Sequence, residues 1–118
     1  MEDEQKLLTI VELESYLKSK ERTWTEEEND EFLEFIASRP YAGTVLRGSG
    51  GVRKVRYQRE GTGKSGGVRV IYYFLNREDL IFLILVYSKT QKDSLTQSQT
   101  NQLNKLSKEL QHYGAQDD

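Results

Sequence analysis

The chain has 118 residues, no cysteine, a single histidine and a net charge of −2. That length suits one folding unit with a modest core, so a single domain over 1–118 is expected; the lack of thiols excludes disulfides, zinc-thiolate centres and thiol nucleophiles and fits a reducing cytoplasm. No stretch approaches the roughly 20 apolar residues of a membrane span, and the acidic start Met1-Glu2-Asp3-Glu4 lacks the basic head and apolar run of a signal peptide, so a soluble cytoplasmic protein with no membrane partner is expected.

Taken in order, Leu7-Leu8-Thr9-Ile10-Val11 is apolar and partly β-branched and reads as a first strand. Glu14 to Arg22 is a short helix by composition. A second helix is announced by Thr25 with Glu28 three residues later, the spacing of a capping box, and by acids in the first turn that suit the helix dipole. Phe32, Leu33, Phe35 and Ile36 give it an apolar face, and Pro40 stops it. Val52 to Tyr57 and Val68 to Phe74 are rich in β-branched and aromatic residues and read as two adjacent strands. The glycine-rich stretch Gly61-Thr62-Gly63-Lys64-Ser65-Gly66-Gly67 joins them as a loop. Asn76 to Asp79 is a polar turn, and the almost unbroken apolar run Leu80 to Tyr87 is a strand covered on both faces, hence central in its sheet. Ser94 or Thr96 caps a last helix whose inner face holds Leu103, Leu106 and Leu110, and Gly114 ends it. The order predicts an α+β domain: an antiparallel sheet of about four strands, two N-terminal helices packed on one face and a C-terminal helix, with the helices gathered on one side.

Charge is divided sharply along this order. Residues 1–38 hold 4 Lys/Arg against 12 Asp/Glu, residues 39–69 hold 8 against 1, and residues 70–118 hold 5 against 6. The acidic part reads as solvated helix faces. The basic part places Arg53, Lys54, Arg56, Arg59, Lys64 and Arg69 on two neighbouring strands and their loop, where they repel one another unless a polyanion lies across them. Alternation puts Lys54 and Arg56 on one side of their strand. Competing motifs fail on context. Gly61, Gly63 and Gly66 spell G-x-G-x-x-G, and Gly63-Lys64-Ser65 mimics the end of a phosphate-binding P-loop, but both patterns must open a helix and here a strand follows. His112 has no companion for a metal site or a catalytic pair and reads as an exposed helix residue, so neither metal nor cofactor is expected.

Arg39-Pro40, the stretch Gly48 to Arg56, the loop Gly63 to Gly67, the run Arg69 to Tyr73 and Tyr87-Ser88-Lys89 together resemble the HigB-type branch of the RelE/ParE toxin superfamily, in the order GGxRKxR, GKxGGxRxIYY, YxK over residues 39–92. The resemblance implies a RelE-like fold and the toxin of a type II toxin–antitoxin module. It implies a metal-independent endoribonuclease that cuts mRNA on the ribosome, inhibits translation and is neutralised by an antitoxin, here of the HigA-like helix-turn-helix kind. Matched residue by residue, it gives Lys54 and Arg56 as the paired strand cations, Arg69 as the phosphate clamp and Tyr87 as a fourth catalytic residue. Arg53, Lys64, Tyr73, Lys89 and Lys92 then follow as RNA-binding. Thr62 and Ser65 depart from the basic pair the family often carries in that loop, and the segment after Lys92 offers no tyrosine or arginine in the place RelE itself uses. Two other readings remain: a gyrase-binding toxin of the ParE kind, and an inactive homologue that only binds its antitoxin. An antitoxin would cover either the basic face or the acidic N-terminal helices around Glu26 to Glu28.

Overall fold

The computed structural model describes residues 8–58, 67–89 and 94–113. In chain order these form β1 (Thr9–Glu12), α1 (Glu14–Thr23), α2 (Glu26–Ser38), β2 (Thr44–Val45), β3 (Arg53–Gln58), β4 (Gly67–Leu75), a 3-10 turn over Asn76–Glu78, β5 (Leu80–Ser88) and α3 (Gln97–Leu110). The expected α+β class holds. Both long helices start where the sequence marks them. Thr25 Oγ1 accepts from the Glu28 N–H at 3.1 Å while the Glu28 carboxylate accepts from the Thr25 N–H at 2.9 Å. At α3 it is Thr96 that caps, through the same reciprocal pair with Gln99. This helix ends at Leu110 with Gln111 as its C-cap, earlier than the expected end at Gly114, a residue that itself lies outside the described ones.

The sheet runs β1-β5-β4-β3-β2 and has five strands, not about four, and it is mixed rather than antiparallel, because β1 lies parallel to β5. The extra strand β2 is two residues long, too short to carry an alternating pattern. β5 lies inside the sheet between β1 and β4, and β4 is the middle strand. The expectation that helices gather on one face is also corrected. Tyr16 and Phe32, from α1 and α2, pack against Val55, Val70 and Tyr72 on one side, while Leu103 and Leu110 of α3 pack against Ile71, Tyr73 and Phe82 on the other. β4 and β5 are apolar on both sides, so water has to be excluded from both.

Beyond the end of β1, the outer edge of β5 is closed by side chains rather than by a strand. Ser15, Ser19 and Thr23 recur every four residues along one face of α1. Ser15 Oγ donates to the Ile84 carbonyl at 2.6 Å, Ser19 Oγ accepts from the Val86 N–H at 3.0 Å, and Thr23 Oγ1 reaches the Val86 carbonyl at 3.4 Å. Hydroxyls thus satisfy backbone groups that an open edge would offer to another chain. Under the same helix, Tyr16 donates to Asn29 Oδ1 at 2.6 Å, and Asn29 donates to Glu12 at 3.0 Å. That chain of bonds ties α1, α2 and β1 together inside the core.

Three tyrosines are held neutral by this packing. Burial pushes the Tyr16 hydroxyl well above its usual range, helped by Glu12 and Glu26. Burial also raises Tyr72, against the hydrogen bond from Gly43 and the charge of Arg53, and raises Tyr87, against the charge of Arg69. Since the folded pKa lies above the unfolded value, the stabilisation is complete below about pH 10 and disappears as the pH climbs through the folded values. In an alkaline titration we expect these three of the seven tyrosines to ionise only in step with loss of circular dichroism. Smooth ionisation of all seven in a chain that stays folded would contradict this.

The turn between β2 and β3 is pressed against α3. Gly50 has φ +81°, and a Cβ built there would stand 2.3 Å from Ser107 Oγ. Replacing Gly50 by alanine is expected to cost about 1–3 kcal/mol, from the left-handed backbone and the overlap together. A second change, Ser107→Gly, should restore part of the loss in a denaturant melt.

Candidate nucleic-acid interface

The register of the three long strands decides where the basic side chains go. Lys54 stands opposite Ile71, and Arg56 stands opposite Arg69. Across the next ladder Ile71 faces Leu85, and Arg69 faces Tyr87. Paired residues point to the same side of a sheet. Ile71 and Tyr87 belong to the core under α3, so Lys54, Arg56, Arg69 and Tyr87 all lie on the α3 side. The four expected catalytic residues are therefore brought together.

Arg56 directly across from Arg69 is an arrangement that costs stability. Cross-strand Cβ atoms are about 4.5–5.5 Å apart, and like charges in that relation repel. Their own strands offer them no counter-charge: β3, β4 and β5 contain no aspartate or glutamate. Among the described residues the ion pairs are Lys18–Glu14, Lys20–Glu12, Lys20–Glu26 and Arg77–Glu78, and none involves Lys54, Arg56 or Arg69. Arg56 is exposed, while Lys54 and Arg69 are half-buried. Three cations on a rigid sheet, with no carboxylate partner among the described residues, form a surface whose charge attracts anions such as phosphate oxygens.

Other expected residues fall elsewhere. Arg53 points to the opposite side, where its guanidinium donates to the Gly43 carbonyl at 2.6 Å and lies 5.1 Å from the centroid of the Tyr41 ring. Gly43 in turn donates to Tyr72 Oη at 2.9 Å, and that hydroxyl donates to the Pro40 carbonyl at 2.8 Å. Arg53 thus helps to fasten β2 and the end of α2 and does not join the row. Tyr73 is on the α3 side but buried in that core, with its ring against Gly51. Lys89 is exposed in the turn after β5. Lys64 and Lys92, like Arg59, Thr62 and Ser65, lie outside the described residues. His112 is exposed, as expected. No described helix is long and apolar enough to cross a membrane.

Sequence reasoning missed the head-on Arg56–Arg69 pair, since alternation fixes the side of a residue but not its cross-strand partner. It also missed an apolar groove beside the row, whose walls come from α1, β4, β5 and the N-terminal part of α3. Four segments distant in sequence leave no local signal.

Comparison with known proteins agrees with the fold. A family profile described as the RelE toxin of the RelE / RelB toxin-antitoxin system matches residues 26–117. Among solved structures, a double arginine-to-alanine mutant of E. coli toxin RelE in the free state is 20% identical with a TM-score of 0.54, over 75% of this chain and 90% of that one. The intact E. coli RelBE toxin-antitoxin complex matches at 20% identity and a TM-score of 0.51, over 69% of this chain and 95% of that one. The isolated E. coli RelE toxin matches at 16% identity and a TM-score of 0.50, over 84% and 98%.

Proposed function

The chain belongs to the RelE toxin family of toxin–antitoxin systems, and from that premise we propose that it is a ribosome-dependent mRNA endoribonuclease of the HigB branch, held inactive by a HigA-like antitoxin. The observation that carries this reading is the row Lys54, Arg56 and Arg69, three cations on one face with no carboxylate among the described residues to neutralise them.

In RNA cleavage by the neighbouring ribose, the 2′ hydroxyl gives up its proton to a base, here solvent water, as its oxygen attacks phosphorus; the bond to the 5′ oxygen breaks, that oxygen takes up a proton, and a 2′,3′-cyclic phosphate is left. Negative charge gathers on the non-bridging oxygens in between. Two guanidiniums and an ammonium fixed on a sheet oppose that charge without having to reorganise, which is the largest contribution a site without metal or paired histidines can make. Tyr87 has a different part. It is 4% exposed and stands across the ladder from Arg69, so it acts through Arg69, and its raised pKa keeps the hydroxyl as a hydrogen-bond donor rather than a base. Lys89 is placed to follow the RNA backbone past the end of β5.

The test is to induce the chain in bacteria and map mRNA 5′ ends. Translation-dependent cuts support the reading. Induction of the DNA-damage response with intact mRNA would favour a gyrase-binding toxin instead, and growth unaffected in the absence of antitoxin would point to an inactive homologue.

A further inference from the structure

We infer that the groove between α3 and the sheet is a nucleobase pocket that selects the base next to the cut. This inference rests on the reading of the cation row as a phosphate site. The groove holds about 230 Å³, with Ile71 and Leu85 as its floor and Leu95 and Leu106 as its walls. Ligand pockets for whole small molecules run to roughly 300–1,000 Å³, so this one suits a single planar ring system. Its polar side chains are Ser15, whose hydroxyl already donates to the Ile84 carbonyl, and two amides, Gln99 and Gln102. Gln99 Oε1 is already used by the Thr96 N–H, at 2.8 Å, which leaves the Gln99 amide N–H groups to donate, while exposed Gln102 offers both a donor and an acceptor. Neutral amides on an apolar slot match the edge and face of a base and offer a phosphate no opposing charge.

Position supplies the second argument. The floor residue Ile71 is opposite Lys54 across one ladder and opposite Leu85 across the other, and Arg69 lies two residues further along the same face of β4. Strands are about 4.8 Å apart, so the floor of the groove at Ile71 begins one strand spacing from Lys54. A base flipped from the strand enters the groove while its backbone stays on the row.

Two measurements test this. In the 5′-end assay, Gln102→Ala and the groove-filling Leu106→Phe are expected to change the preference for the base beside the cut by about tenfold. In methyl NMR, nucleoside 3′-monophosphates at millimolar concentration are expected to shift the Ile71, Leu85 and Leu106 signals, one base more than the others, whereas inorganic phosphate does not. Unchanged base preference in both variants would overturn the inference, as would methyl signals that respond equally to inorganic phosphate or not at all. If Leu106→Phe instead loses antitoxin binding with base preference intact, the groove belongs to the antitoxin and the inference falls. Failure of the underlying reading looks different: the unaltered protein makes no translation-dependent cuts, while the methyl titration still reports on the groove.

Discussion

Replacing Arg69 by alanine is expected to lower mRNA cleavage about 100- to 1,000-fold, the usual cost of deleting one preorganised group at a developing oxyanion, while the folded protein stays as stable or gains slightly. The two effects have opposite signs for one reason. Arg69 faces Arg56 across the β3–β4 ladder, and like charges in that relation cost about 0.2–1 kcal/mol. Removing one relieves the repulsion and empties the phosphate site at once. A residue kept only for packing would behave differently, losing stability together with activity. The measurement is a pair: cleavage by purified protein on translating ribosomes, and a denaturant melt of the same preparation. Loss of activity accompanied by a large drop in the melting midpoint would assign Arg69 to the core rather than to the site.

The second large effect belongs to the opposite face of the sheet. Phe32 is fully buried, 5.7 Å from Trp24, 5.1 Å from Tyr57 and 6.0 Å from Phe35 by ring centroid. Tyr57 comes from β3, so this aromatic cluster is what presses α2 onto the strand that carries Lys54 and Arg56. Phe32→Ala is expected to cost about 3–5 kcal/mol, a large part of the roughly 5–15 kcal/mol that holds a domain of this size together. Leu17, 40% exposed on α1, provides the contrast: Leu17→Ala should move the midpoint little. Equal losses from the two would mean that the Trp24–Phe32–Tyr57 cluster does not carry the load assigned to it.

How far the sequence could be read follows from which signals are local. The capping box at Thr25 lies within four residues and specifies its helix start outright, whereas at α3 the sequence leaves Ser94 and Thr96 as alternatives, and Thr96 is the cap. The periodicity of Val52 to Tyr57 and Val68 to Phe74 was enough to place Lys54 and Arg56 on one side. Direction and layering are not local. That β1 runs parallel to β5 depends on a pairing, Thr9 with Leu80, between segments at opposite ends of the sheet-forming chain. That α3 takes the opposite face follows from β4 and β5 being apolar on both sides, a pattern legible in Leu80 to Tyr87 that calls for cover on each face. Arg53 went astray for a similar reason: its neighbours in sequence are the site cations, but its neighbours in space are Gly43 and Tyr41. The stripe Ser15, Ser19, Thr23 was also visible, and its meaning appears only once a strand edge is found beside it.

The account turns on the α3 side of β3 and β4 being the surface that meets RNA on the ribosome, and lysine acetylation with mass-spectrometric readout addresses that most directly. Lys54 stands in the cation row, whereas Lys18 sits on α1 with its side chain 69% exposed. On adding mRNA-programmed ribosomes, Lys54 should become protected and Lys18 should keep reacting. Protection of Lys18 with Lys54 still freely acetylated would contradict the assignment.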